Sequence, residues 1–312
     1  MSAFFSRSSE SGPLWLPLVW TAVAVALYFG WFAGVVGLRP EHIGMFVLCA
    51  GAWWLHPATR RALLAFAAFI VFWIVYDSMR VWPNYTINPV HIAEPYLFDK
   101  QWFGVDSAGG RQTLNEYWAA HTTPWLDVLT AVFYLSWVPL PMAFAVWLWL
   151  TDKPLFLRFS YAYMLTNLLG FALYYLYPAA PPWYVELNGF EFRPNTARSA
   201  AGLDNFDRMF NIKLFQTIYQ RNSNVFAAIP SLHSAYPLVT FFYAVKTRKR
   251  WPAILFGVLS VGIWWSAIYL RHHYVIDVVL GMLTAVAAYL LFEWAIQHTR
   301  LKQWFAALLQ KV

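Results

Sequence analysis

Apolar runs, broken at short intervals by polar residues, divide this chain into membrane-length pieces. Leu14–Leu38, Val128–Leu150, Phe159–Tyr177, Trp251–Leu270 and Tyr274–Ile296 each supply about the 20 residues a helix needs to cross a hydrocarbon core of roughly 30 Å. Ile43–Leu55, Ala62–Tyr76 and Ser231–Val245 are shorter and span only with flanking residues. Lipid offers no partner to a bare peptide group, so these runs are expected to be helices. The expected fold class is all-α, a polytopic membrane helix bundle of about eight transmembrane helices. About 1–61 would form peripheral N-terminal helices and about 62–298 a catalytic core within a single membrane-embedded domain.

Composition excludes a soluble globule. The 312 residues are 60% hydrophobic and 12% charged, with a mean hydropathy of +0.46, which leaves too little polar surface to cover a water-soluble fold. The 19 Trp and 18 Tyr recur beside the ends of apolar runs, as at Trp53, Trp125 and Trp251, where amphipathic rings favour the interface. The first run lacks a small-residue cleavage site and reads as an anchor rather than a signal peptide. The lone Cys49 rules out an intrachain disulfide, and no Cys/His cluster points to zinc.

The net charge of +7 is scattered through short loops, which argues against a nucleic-acid partner. Eight spans place both termini on one side, and that side carries Arg60, Arg61, Lys153, Arg158, Arg300, Lys302 and the Lys246–Arg250 cluster. The positive-inside rule then makes the termini cytoplasmic. Two longer connections, about Arg80 to Asp127 and Pro178 to Pro230, fall on the opposite, periplasmic or lumenal side, as a lid or platform. Asp77 and Arg80 are expected to form a helix-end ion pair. Asn84-Tyr85-Thr86 matches a glycosylation acceptor, meaningful only in a eukaryotic lumen.

On that outer side the chemistry concentrates. Pro230-Ser231-Leu232-His233-Ser234 opens one run, and Arg271-His272-His273-Tyr274-Val275-Ile276-Asp277 opens another 40 residues later. Between them the chain crosses and returns, so both imidazoles come back to one face. His273 and Asp277 stand four residues apart at a helix start, hence on one helical face. The carboxylate can hold the ring by Nδ1, leaving Nε2 neutral and nucleophilic. His233 is placed to act as general acid and base. Two helix N-termini would aim free amides at one phosphate, with Arg271 or Arg221 adding a cation. His272 lacks the spacing to Asp277 and reads as structural. No cofactor or metal is called for.

These motifs resemble the type 2 phosphatidic acid phosphatase superfamily. Together with Tyr177-Pro178-Ala179-Ala180-Pro181-Pro182-Trp183-Tyr184 and the Trp264-Trp265-Ser266 run, they resemble its inositol phosphorylceramide synthase branch. The resemblance extends over most of Asp77 to Trp294 and implies a six-helix phosphatase-like core. It implies catalytic roles for His233, His273 and Asp277; Ser231, Arg271, Arg221, Tyr274, Trp183 and Tyr184 are the candidate substrate or phosphate contacts, Arg271 being untypical of the branch. The implied reaction moves inositol phosphate from phosphatidylinositol to ceramide or another lipid alcohol, so the partners are membrane lipids. Phosphatases of the superfamily carry Arg six positions before the nucleophile. Here that position is Ala267, and neither Arg39-Pro40 nor Arg193-Pro194 has the upstream Lys of their motif. Monoester hydrolysis by a lipid phosphate or polyprenyl pyrophosphate phosphatase is the rival reading. A membrane transporter, with Asp77 and Arg80 on its path, is the rival from another class. Neither head group nor oligomeric state is fixed by any residue pattern.

Overall fold

The computed structural model describes residues 15–194, 196–220 and 224–312. The chain falls into two compact units, one ending at Arg60 and the other running from Arg61 to Val312.

The first unit holds α1 (Trp15–Trp31), which continues into a π-helical turn at Phe32–Val36, and α2 (Pro40–Leu55). Gly37, at φ 92°, ends the turn in a conformation L side chains rarely adopt. His42 then stacks on Phe32 at 4.0 Å, and Tyr28 donates to the His42 carbonyl at 2.8 Å.

A bent pair leads into the second unit: α3 (Pro57–Ala65) and α4 (Ala67–Ser78), at 55° to one another. Arg80 pairs with Asp77 at 2.9 Å, as expected. The connection that follows is built rather than loose. It contains α5 (Ala93–Phe103), a hairpin of β1 (Val105–Ser107) and β2 (Gly110–Gln112), and α6 (Leu114–Ala120). This hairpin departs from an all-α fold: Asp106 and Arg111 pair across it, while Arg111 also bonds the Lys100 and Gln101 carbonyls at the end of α5. Thr113 and Glu116 form a capping box that starts α6.

Next come α7 (Pro124–Leu135), α8 (Pro139–Thr151) and α9 (Lys153–Leu176). The second outer connection carries α10 (Pro182–Asn188), α11 (Asp204–Phe210) and α12 (Leu214–Gln220). The remaining helices are α13 (Leu232–Val245), α14 (Trp251–Tyr269), α15 (Val275–His298) and α16 (Leu301–Leu309). Among the described residues three runs, Pro124–Thr151, Trp251–Tyr269 and Val275–His298, are long and apolar enough to cross a bilayer, and the bent α3–α4 pair makes a fourth. The apolar runs of the sequence predict eight. In α9, Ser160, Thr166 and Asn167 are buried against neighbours, so polarity that lowers its hydropathy never meets lipid.

Helices α13, α14, α15 and α9 pack together as the centre of the second unit. Their approach is set by glycines. A Cβ on Gly262 would sit 2.3 Å from the Phe133 ring, and one on Gly281 would sit 2.1 Å from both the Ser231 carbonyl oxygen and Ser234 Oγ. At the end of α13 away from His233, Glu293 accepts from Tyr243 at 2.8 Å and pairs with Lys246 at 2.6 Å and with Arg158. A carboxylate among apolar helices is tolerable only when paired in this way.

Candidate active site

His233 lies in the first turn of α13 and His273 immediately precedes α15. Because the chain runs out along α13 and back along α14 between them, both lie at the same end of the bundle. The placement is tightened by a serine clamp. The Ser231 backbone N–H donates to the Asp277 carbonyl at 2.9 Å, and Ser234 Oγ bonds both the Ser231 and Val278 carbonyls, at 2.7 and 3.0 Å. The Trp264 indole N–H reaches the Ser234 carbonyl at 3.0 Å, tying α14 to the same point.

The outcome is direct contact of the two rings: His233 Nδ1 is 3.1 Å from His273 Nε2. His273 Nδ1 faces Asp277 Oδ2 at 3.4 Å, and the same oxygen accepts the Tyr274 backbone N–H at 2.9 Å. An Nδ1–H directed at the carboxylate leaves the Nε2 lone pair of His273 turned to His233. Tyr134 stacks on His233 at 4.7 Å, and Trp137 meets it edge-on at 4.5 Å, so the imidazole is gripped from two sides. The Asn115 amide donates to the His273 and Ile268 carbonyls at 2.9 and 2.8 Å, holding the turn that presents His273.

Both histidines line a cavity of about 400 Å³, within the range of small-molecule sites. Its walls are largely aromatic, with Phe72 and Trp73 from α4, Phe171 and Tyr174 from α9, and Tyr236 from α13. Trp183 lines it, as the motif implied, and so does Arg198, whose side chain is exposed.

Other expected contacts lie elsewhere. Ser231 is fully buried and caps α13, its hydroxyl accepting from the Ser234 N–H at 3.4 Å. Tyr184 is equally buried. Its hydroxyl donates to the Glu191 carbonyl and accepts from the Arg193 N–H, so it fastens the loop after α10. The Tyr274 ring packs edge-on to Tyr96. Arg271 turns to Glu186, with Nε at 3.0 Å from Oε2, and its backbone takes a left-handed φ of 62° while its carbonyl accepts the Trp183 N–H. None of these four side chains lines the cavity. Arg221 lies outside the described residues.

His272 sits between the rings of Tyr134 and Tyr219, at 5.1 and 4.6 Å, with Nε2 donating to the Ala200 carbonyl at 3.2 Å. Burial, reinforced by the neighbouring His273, holds it down to about 3, so it stays neutral and serves as a wall. Ala267, at the position where phosphatases of the resembled superfamily carry Arg, is fully buried. Its carbonyl accepts the N–H groups of both His272 and His273, at 3.0 and 3.1 Å.

Sequence reasoning expected two free helix N-termini at this place. That of α15 is instead occupied: Asp277 takes the Tyr274 N–H, and Asp99, from α5, takes the Ile276 N–H at 3.1 Å. Asp99, Asn115, Tyr134, Trp137 and Arg198 were all missed, since each reaches the site from a segment with no local motif.

A family model described as the PAP2 superfamily matches residues 110–291. The phosphoinositol dihydroceramide synthase of Bacteroides thetaiotaomicron is 43% identical over 280 residues, covering 89% of this chain and 92% of its own. The inositol phosphorylceramide synthase of Candida albicans is 30% identical over 185 residues, 56% of this chain and 38% of that one. The inositol phosphorylceramide synthase catalytic subunit of Saccharomyces cerevisiae is 34% identical over 130 residues, 41% of this chain and 31% of that one. No solved structure matches.

Proposed function

This chain belongs to the PAP2 superfamily, and from that membership we propose that it is a lipid phosphotransferase moving inositol phosphate from phosphatidylinositol to a ceramide-type acceptor, releasing diacylglycerol. The relatives' names supply the substrates. The observation that carries the chemistry is the 3.1 Å approach of His233 Nδ1 to His273 Nε2 beside an aromatic cavity.

In the first half-reaction His273 Nε2 attacks phosphorus and the bond from phosphorus to the diacylglycerol oxygen breaks. His233, protonated at this stage, gives its Nδ1 proton to that oxygen. The phosphodiester is then held on His273, with Asp277 balancing the positive charge of the ring. In the second half, neutral His233 withdraws the proton of the acceptor hydroxyl, whose oxygen attacks phosphorus and frees His273. The two nitrogens lie 3.1 Å apart and face one another. Substrate phosphorus inserts between them, so nucleophile and acid end on opposite sides of one centre, in line for displacement.

The aromatic walls fit acyl chains, and Arg198 supplies a cation for the phosphate oxygens in place of the missing phosphatase ligands. The bundle is read as eight spans, α9 and α13 included, with cytoplasmic termini and the histidines on the outer side. The positive-inside bias supports that orientation. Ala267 favours a diester donor over a monoester phosphatase, because the chain has no arginine at this position to bind a dianionic phosphate.

Purified protein given head-group-labelled phosphatidylinositol and ceramide should yield a labelled ceramide product and diacylglycerol in equal amounts. Phosphate release from phosphatidic acid, with no labelled ceramide product from phosphatidylinositol, would overturn the assignment. His233→Ala should lower transfer by about 10²–10⁴-fold, the usual worth of general acid–base catalysis. Arg198→Gln should raise KM for phosphatidylinositol about tenfold, with kcat falling less, as for loss of one charge-assisted contact worth roughly 1.5 kcal/mol. An unchanged KM would remove Arg198 from the site.

A further inference from the structure

Behind His273, on the side away from the cavity, lies a second set of polar groups that the reaction above does not use. Asp99 is fully buried on the inner face of α5, with Oδ1 accepting the Ile276 N–H at 3.1 Å. Among the described residues its Oδ2 has no hydrogen-bond partner, and neither do Asp277 Oδ1, the Tyr274 hydroxyl and Asn115 Oδ1. All four atoms belong to buried residues around the start of α15, and α5 packs on that helix. Two carboxylates in one dry pocket do not both ionise readily, because desolvation and mutual repulsion each favour keeping one proton.

We propose that Asp99 is a positioning residue for the nucleophile, forming with Asp277 a buried carboxylate pair that holds one shared proton in the resting enzyme. The unpaired oxygens, with the Tyr274 hydroxyl between the two residues in sequence, are the acceptors and donor of that proton. One negative charge then faces His273 instead of two. The Nδ1–H of His273 stays on its ring, and Nε2 is left free to attack.

The charged groups nearby fit this arrangement. From α5, Lys100 is drawn off to the Tyr96 hydroxyl at 3.1 Å, and Tyr96 in turn bonds Glu116 of α6 at 2.8 Å. Arg111 of β2 is spent on carbonyls at the end of α5 and on Asp106. At the start of α15, Asp277 and the Tyr274 hydroxyl are the titratable groups that act on Asp99, and the Ile276 and Val275 N–H groups point at it. Among the described residues no Lys or Arg forms an ion pair with Asp99, so a second full charge there would stand uncompensated. Burial, with Asp277 adding to it, pushes the Asp99 carboxyl up to about 7, against the opposing pull of the Ile276 N–H. Below that pH it is neutral; above it, a second negative charge stands beside Asp277.

This inference rests on the transferase reading for its kinetic arm only. Asp99→Asn keeps an oxygen to accept the Ile276 N–H and so preserves the helix cap, but it cannot ionise. In that variant the limb of the kcat/KM profile near pH 7, where wild-type Asp99 ionises, should be lost, because the side chain is neutral at every pH. Asp99→Glu should restore the wild-type limb. The second arm needs no substrate. Infrared difference spectra of the wild-type protein should contain a carboxylic acid C=O band that titrates near neutral pH and is absent from Asp99→Asn. A band that persists in the variant, or a profile that superimposes on wild type, overturns the proposal. Wild-type protein lacking transferase activity but retaining the titrating band would count against the transferase reading and leave the carboxylate pair standing.

Discussion

His273→Gln is expected to reduce phosphoinositol transfer by at least about 10⁴-fold, the scale on which removal of a covalent nucleophile acts. The side chain of glutamine can occupy much of the imidazole's volume and still offer a donor toward Asp277, so the fold should survive. It has no nitrogen lone pair able to bond phosphorus. Wild-type protein incubated with head-group-labelled phosphatidylinositol, without acceptor, should take up label in a linkage stable to alkali and labile to acid, as a phosphorus–nitrogen bond is. His273→Gln should take up none. Label in the variant, or transfer within tenfold of wild type, would assign the nucleophile elsewhere. The same experiment separates His273 from His233, whose loss slows both half-reactions while leaving the attacking nitrogen in place.

Gly281→Ala carries the second large effect, though Gly281 lies four residues beyond Asp277 and is assigned no part in the chemistry. The methyl group would have to occupy the place of the Ser231 carbonyl oxygen and Ser234 Oγ, both 2.1 Å away. One of these atoms is backbone, and both belong to the clamp that fastens the start of α13 to α15, so neither can simply rotate aside. The helices must separate by about an ångström or more, and that displacement falls directly on the His233 to His273 contact. Misplacement of about 1 Å costs roughly 10²-fold in rate, and overpacking of a close helix contact costs about 1–3 kcal/mol. Transfer activity should therefore drop at least about 10²-fold, with a lowered unfolding midpoint in detergent. An alanine variant with normal midpoint and normal activity would show that this close approach does not assemble the site.

Local pattern made part of this molecule legible from its residues. The four-residue interval between His273 and Asp277 needs only the pitch of a helix, and the structure has that pair in contact. The return of His233 and His273 to one end needs only an out-and-back crossing between them. The Asp77–Arg80 pair follows from spacing in the same way. Polarity along the chain was a poorer guide in the outer connections. They read as long loops yet hold α5, α6 and α10 to α12, because short helices pinned by side-chain contacts to a bundle need no long apolar stripe of their own.

The motif residues also divide by how far their roles depend on neighbours distant in sequence. Ser231 stands beside the catalytic histidine in sequence, but its N–H and carbonyl are committed to α15, and its hydroxyl caps α13. Arg271 is two residues from the nucleophile and is turned away by Glu186. Asp99 is 177 residues from the amide it caps, and nothing around it in the chain marks it. By itself the sequence determined the helices, their common end and the His–Asp couple, since these depend on hydrogen bonds and spacing within a few turns. Tertiary structure alone decided which side chains face the phosphate and which are consumed as clamps, because that choice is made where glycine-set helix contacts bring remote surfaces within bonding distance.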